Sequence, residues 1–427
     1  MIKMKLVVKK TENLNGSIEI PASKSHTIRA IIIASLAKGP STIINPLDSA
    51  DTKAAVNGCT ALGAEIKKLS NKKWIIKGFE GKPKQPSKKL DMLNSGTSIN
   101  SLISVAALGN FNVILDGDYS LRKRPVQPLL DALNALGAKA VSLKNNKCPP
   151  IEIRGRLKGG KTVVDCKSSQ YVSSLLISCP LIEKNTEIVV KNICEKPYIE
   201  MTLKWLDEQK IKYETKRLEY FKIHGKQNYN AFKKRIPADW SSATFPLCAA
   251  AITKSDITLD GLDINDAQGD KQIVEYLKKM GANIKIQEQS IIIKGNVLKG
   301  TELDLNNTPD ALPAVAVVAC FAKGITTIKN VTHARIKETD RIKIMKKELS
   351  KMGADIEERE DGLIIKNSEL KGTKVKGHHD HRVVMALSLA GLIAKGNTEI
   401  DTAESIDVTF PDYVHLMNKL GARMEVI

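Results

Sequence analysis

Near the amino terminus the stretch PASKSHTIRA, residues 21–30, runs into the apolar segment IIIASLA. Lys24 and Arg29 therefore stand at the start of a helix that the following residues would bury. The unsatisfied backbone N–H groups there carry partial positive charge, so cations at that end are unfavourable unless an anion joins them. The same conflict returns at Asp380-His381-Arg382, which opens the run VVMALSLAGLIA. Arg122-Lys123-Arg124-Pro125 and Lys337-Glu338-Thr339-Asp340-Arg341 add further cations, the second set interleaved with carboxylates. Lys337 and Arg341 are four residues apart and are expected to stack on one helical face. Glu338 and Asp340 fit an ordinary acidic first turn. The tract His378-His379-Asp380-His381 has metal-ligand residue types, but Arg382 beside it would repel a cation and no second ligand cluster accompanies it, so no metal is expected.

These residues belong to a repeated pattern of elements. Leu62-Gly63-Ala64, Leu136-Gly137-Ala138, Met280-Gly281-Ala282, Met352-Gly353-Ala354 and Leu420-Gly421-Ala422 each close a helix-like stretch and open a strand-like one, as glycine at a C′ position would. The glycines are 74, 144, 72 and 68 residues apart. Because 144 is twice 72, a sixth copy is hidden, and WLDEQKIKYE fits it with Lys210 in the glycine's place. Each unit reads α-β-α-β-β. Its first helix is apolar nearly all round and must be interior, wrapped by sheets and by the second, amphipathic helix.

A polar group precedes every one of the six interior helices: Ser23-Lys24-Ser25, Asn94-Ser95-Gly96-Thr97, Ser168-Ser169-Gln170, Asp239-Trp240-Ser241-Ser242, Pro309-Asp310-Ala311 and Asp380-His381-Arg382. Each is expected to cap its helix. If the interior helices run parallel, these ends gather dipoles, free N–H groups and cations into an anion trap. Three units per domain divide the chain near residue 236, with YNAFKKRIPAD as the crossover and the N-terminal strand MKLVVKK adding to one domain or the other.

Composition favours an anionic partner. The 427 residues carry a net charge of +19, which favours nucleic acid, a membrane surface or phosphorylated substrates. Aromatics are only 4%, and no stacking motif or zinc-finger spacing is present, which argues against nucleic acid. No apolar run is long enough for a membrane span, and MIKMKLVVKK is too short for a signal peptide. Seven scattered cysteines without a CxxC pair suit reduced thiols, so a cytoplasmic location is expected.

PASKSHTIRA, NSGTS, KRPVQPLLDAL, SSQY, KPYIEMTL, DWSSATF, QGDK, PDALP, RIKETDRI, DHRVVMALSL and TFPDY together resemble, in order and spacing, the 5-enolpyruvylshikimate-3-phosphate synthase family. The resemblance spans essentially the whole chain. It implies an α/β (α+β) protein of two domains, each of three βαβαββ-type units, the inside-out α/β barrel of enolpyruvyl transferases. The domains would be residues 21–236 and residues 1–20 with 237–427, with the active site in the cleft between them. It further implies a monomeric enzyme, without cofactor, that joins shikimate 3-phosphate to phosphoenolpyruvate with loss of phosphate.

Carried over residue by residue, the resemblance gives Lys24, Ser25, Arg29, Ser168, Ser169, Gln170, Tyr198, Asp310 and Lys337 to shikimate 3-phosphate. It gives Lys24, Asn94, Gly96, Arg124, Gln170, Arg341, His381 and Arg382 to phosphoenolpyruvate. Asp310 would be the base for the attacking hydroxyl, with Glu338 and Lys24 as proton carriers at the methylene carbon. Four positions depart from the pattern familiar in bacterial members: Glu195 stands for a serine, Asn100 for an arginine, His333 for an asparagine and Val408 for a lysine. Two other readings stay open. One is the sister UDP-N-acetylglucosamine enolpyruvyl transferase, although Tyr119 occupies the place of its loop cysteine, and the other is a basic nucleic-acid-binding protein.

Overall fold

The computed structural model describes residues 4–427. The chain forms two compact units. The first is Ala22–Ile236, and the second joins the segment ending at Pro21 to Pro237–Ile427. Twelve α-helices alternate between interior and outer positions among the described residues. They are α1 (Lys24–Leu36), α2 (Ala50–Ala61), α3 (Gly96–Ala106), α4 (Gln127–Ala135), α5 (Ser169–Ser178) and α6 (Lys196–Glu208) in the first unit. In the second are α7 (Trp240–Ile252), α8 (Ile273–Lys279), α9 (Leu312–Phe321), α10 (Arg341–Lys351), α11 (His381–Ile393) and α12 (Tyr413–Lys419).

The odd-numbered helices are the interior ones. α7 is buried without a break from Trp240 to Ala251, and α11 from His381 to Leu392. Their sequences present no polar stripe, so only a site enclosed on all sides suits them. Outer α10 instead buries Arg341, Ile342, Met345, Glu348 and Leu349, the spacing of a single helical face.

Four of the interior helices, α3, α5, α9 and α11, each bridge two parallel strands. Leu90–Asp91 pairs parallel with Asn112–Asp116 across α3, and the ladder continues antiparallel through Ile151–Arg154 and Lys139–Ser142. Six such four-stranded sheets form, three in each unit. Three of them borrow a strand from a distant part of the sequence. Lys233–Arg235 lies parallel to Pro40–Ile44, and Asn15–Glu19 lies parallel to Asp256–Asp260. Lys5–Lys9 inserts between Thr398–Asp401 and Arg423–Val426, antiparallel to both.

The outer helices share one ending. Gly63, Gly137, Gly281, Gly353 and Gly421 all have φ between +98° and +111°, and Lys210 takes the left-handed conformation too, at +58°. In all six the next amide bonds back to a carbonyl five residues earlier, as in Ala64 N–H to Cys59 and Ile211 N–H to Leu206. Lys210 is the sixth copy in geometry, without the glycine that makes it easy.

Candidate active site

In the first unit Ser23 caps α1 by accepting from the His26 N–H, which leaves Lys24 and Ser25 in the first turn. Lys24 Nζ lies 3.2 Å from Asp51 Oδ2. Asp51 belongs to the first turn of α2, and its carbonyl accepts from Ser98 Oγ at 3.1 Å, which ties Lys24 to the start of α3. Arg29 is buried one turn further on. Its Nε donates to Thr202 Oγ1 at 2.9 Å, Nη1 to the Ser25 carbonyl at 3.2 Å and Nη2 to the Tyr198 carbonyl at 3.0 Å. Two of the five guanidinium N–H groups lie outside these bonds. Burial lowers its pKa to about 10, so it stays cationic at neutral pH.

At the start of α3, Ser95 accepts from the Ser98 N–H. Arg124 Nη2 donates to Asn94 Oδ1 at 2.8 Å and to Ser120 Oγ at 3.1 Å, so Asn94 orients the guanidinium. A Cβ built on Gly96 would lie 2.9 Å from Arg124 Nη1 and 3.8 Å from Gln170 Oε1, which places all three side by side. Gln170 is held in turn: Asn100 Nδ2 donates to its Oε1 at 2.7 Å, and its Nε2 donates to Thr97 Oγ1 at 3.3 Å. Ser168 caps α5, and Ser169 donates to Glu195.

In the second unit Arg341 gathers carboxylates. It is 1% exposed. Its Nε and Nη2 grip Asp380 as a fork, at 2.9 and 3.1 Å. Nη1 donates to Asp310 Oδ1 at 2.7 Å and Nη2 to Glu338 Oε2 at 2.6 Å. Those three charges hold the guanidinium's pKa above its ordinary value against the opposing effect of burial. Arg382 Nη2 lies 3.0 Å from the other Asp310 oxygen and donates to Ser241 Oγ at 2.9 Å. His381 is fully buried, and desolvation with the adjacent Arg382 pushes its pKa down to about 3, so the imidazole is neutral.

The structure departs from the sequence reading at several of these residues. Lys337 and Arg341 do not stack on one helix, because Asp340 caps α10 through the Lys343 N–H and the helix begins only at Arg341. Asp340 is thereby a cap, and Glu338 precedes the helix and serves Arg341. Asp310 does not cap α9 either. It sits in a one-turn 3-10 helix, Ala311 takes the cap position without a side-chain bond, and the two arginines claim the carboxylate. Before α7 the Trp240 N–H is taken by Gln268 Oε1 at 3.1 Å rather than by Asp239. Arg122 turns from the site to a two-point bond with Asp116. The histidines of the 378–381 tract diverge, His378 to Glu348 at 2.9 Å and His379 towards Glu404 at 3.8 Å. Among the described residues no three His, Cys, Asp or Glu side chains gather as a metal-ligand group.

Sequence reasoning missed the partners that fix these cations: Asp51 for Lys24, Asp380 for Arg341, Thr202 for Arg29 and Ser241 for Arg382. Asp380, Ser241 and Thr202 lie in motifs the sequence displays, DHR, DWSSATF and KPYIEMTL, whereas Asp51 lies in none.

Cations thus stand at the starts of buried helices, with the Asp310 carboxylate between two of the arginines. The family model of EPSP synthase (3-phosphoshikimate 1-carboxyvinyltransferase) matches residues 8–417. The chain is 50% identical over 419 residues to the 3-phosphoshikimate 1-carboxyvinyltransferase of Acetivibrio thermocellus, covering 98% of this chain and 99% of that one. It is 48% identical over 424 residues to that of Ruminiclostridium cellulolyticum, covering 99% and 100%. The solved EPSP synthase of Acinetobacter baumannii superposes with a TM-score of 0.83 at 28% identity over the whole of both chains. The chain belongs to the EPSP synthase family.

Proposed function

We propose that this chain transfers the enolpyruvyl group of phosphoenolpyruvate to the 5-hydroxyl of shikimate 3-phosphate, giving 5-enolpyruvylshikimate 3-phosphate and phosphate. The product serves chorismate and aromatic amino-acid synthesis. Family membership supports the reaction, and neither the sugar-nucleotide transferase nor a nucleic-acid-binding protein is favoured by the relatives. The observation that carries the chemistry is the Asp310 carboxylate held between Arg341 and Arg382.

Arg29, Ser25, Ser168, Ser169, Gln170, Tyr198 and Lys337 hold shikimate 3-phosphate. Arg124, Gly96, Arg341 and Arg382 hold phosphoenolpyruvate, with Asn94 as the residue that aims Arg124, while neutral His381 contributes from the α11 N-terminus. Two phosphates and two carboxylates call for several cations, with arginine preferred for its planar two-point grip.

The substrate's anionic groups take up Arg341 and Arg382, which loosens their hold on Asp310 and strengthens it as a base. A proton reaches the methylene carbon from Glu338 or Lys24, leaving a cation-like carbon that the 5-hydroxyl attacks as Asp310 removes its proton. The tetrahedral adduct then loses a methyl proton and phosphate, whose charge the cations stabilise. No cofactor enters these steps.

No disulfide joins the seven buried cysteines, which supports a cytoplasmic location. No helix of the described residues is long and apolar enough to cross a membrane. We place the enzyme in the cytoplasm as a monomer that takes no nucleic acid.

Phosphate release on mixing the purified protein with both substrates tests the reading. It should need both substrates, persist in a chelator and fail with UDP-N-acetylglucosamine. Turnover with the sugar nucleotide, or loss of activity in chelator, would overturn it.

A further inference from the structure

Glu195 is the cap residue of α6, yet its side chain makes no capping bond to that helix. An acidic cap ordinarily serves its own first turn. Here Oε2 reaches the start of α5, where it accepts from the Ser169 N–H at 3.1 Å and from Ser169 Oγ at 2.8 Å. Glu195 is 2% exposed and Ser169 1%. The Glu195 backbone has φ of +50°, a left-handed conformation that costs a residue with a Cβ about 1 kcal/mol.

An N–H at a helix start beside a serine hydroxyl is a pair of donors that an anion takes up. In this chain an anion of the protein itself already occupies them. Tyr198 lies in the first turn of the same α6, and its carbonyl accepts from Arg29, so the segment carrying Glu195 also carries a partner of the cation expected to hold the substrate.

We propose that Glu195 determines the enzyme's affinity for the substrate phosphate by competing with it for the two Ser169 donors. The inference rests on the proposed function, which gives Ser169 to shikimate 3-phosphate. Before the phosphate can use the Ser169 donors the carboxylate must be displaced, and if it stays nearby the two like charges repel with little screening in a buried setting. The chain thus trades phosphate affinity for a self-satisfied site. The effect should fall on the phosphate, since an anionic group is what the two Ser169 donors suit best and what a carboxylate repels.

Two variants separate this role from simple capping. Glu195→Gln keeps an oxygen for Ser169 and removes the charge, whereas Glu195→Ser removes the long side chain and vacates the donors. Dissociation constants for shikimate 3-phosphate, shikimate and inorganic phosphate are measured by calorimetry on the full-length protein, with thermal unfolding as the check on folding. Shikimate 3-phosphate should bind about five- to tenfold more tightly to both variants, more so to the serine one, as expected for a lost charge-assisted competitor. Inorganic phosphate should tighten in parallel, and shikimate should change less than twofold. Unchanged or weaker shikimate 3-phosphate binding to folded variants would overturn the inference, as would an equal shift for shikimate. Failure of the unaltered protein to bind shikimate 3-phosphate would instead overturn the proposed function.

Discussion

Arg341 donates to Asp310 at 2.7 Å, and the other Asp310 oxygen lies 3.0 Å from Arg382, so one carboxylate holds two buried guanidinium groups. An unpaired cation in such a place would be costly, and at Arg341 Asp310 shares the pairing with Asp380 and Glu338. Asp310→Asn keeps the shape and removes the base. Its turnover should fall by roughly a hundredfold or more, with KM for either substrate changed only a few-fold. Glu338→Gln should behave alike. Steady-state kinetics of both variants decide the roles, and near-normal turnover would refute them.

Gly96 bears on inhibition. Members of this family are targets of the herbicide glyphosate, a longer molecule than phosphoenolpyruvate. An alanine Cβ at this position would lie 2.9 Å from Arg124 Nη1, so the guanidinium, whose Nη2 is tied back by Asn94 and Ser120, must shift. In Gly96→Ala the inhibition constant for glyphosate should rise by roughly tenfold or more, a methyl group's effect in a filled pocket, while KM for phosphoenolpyruvate rises less. Equal changes in the two constants would remove Gly96 from the pocket.

Lys210 pays for a conformation that glycine adopts freely in the five sister positions. Replacing Lys210 by glycine should stabilise the protein by up to about 1 kcal/mol, less what the freer unfolded chain takes back. A urea midpoint that moves downward would show that the lysine side chain contributes more than its backbone costs.

His381 makes stability depend on pH. Its folded pKa of about 3 lies below the ordinary value near 6.5, so the unfolded chain binds the proton more readily. Its contribution is fully present above the unfolded value and is lost as pH falls from about 6.5 towards 3, by up to about 1.4 kcal/mol per pH unit. His381→Asn should flatten that part of the stability curve, measured by urea unfolding at a series of pH values. An unchanged acid slope would assign the loss to other groups.

The parts of this molecule that were legible in sequence are those set by neighbours in the chain. The caps Ser23, Ser95, Ser168 and Asp380 act where their types and positions indicate, and the glycine marks end the outer helices even where Lys210 replaces one. What was illegible depends on pairing at a distance. The Asp51 side chain looks like any acid in a first turn until the fold brings it to Lys24, and Asp310 reads as a cap until two arginines claim it. The helical register given to Lys337 and Arg341 failed locally, because Asp340 is the stronger start signal and delays the helix.

The borrowed strands set an order for synthesis. Everything the first unit needs, including Lys233–Arg235 against Pro40–Ile44, has left the ribosome once residue 236 is out, so that unit can complete its sheets while translation continues. The second unit cannot. Its strands Lys5–Lys9 and Asn15–Glu19 are made first, and they wait for Thr398–Asp401, Arg423–Val426 and Asp256–Asp260. In a gene rearranged to start at residue 22, with the present N-terminal segment joined after residue 427, Lys5–Lys9 would find both partner strands already made, and Thr398–Asp401 would wait for it only a few dozen codons.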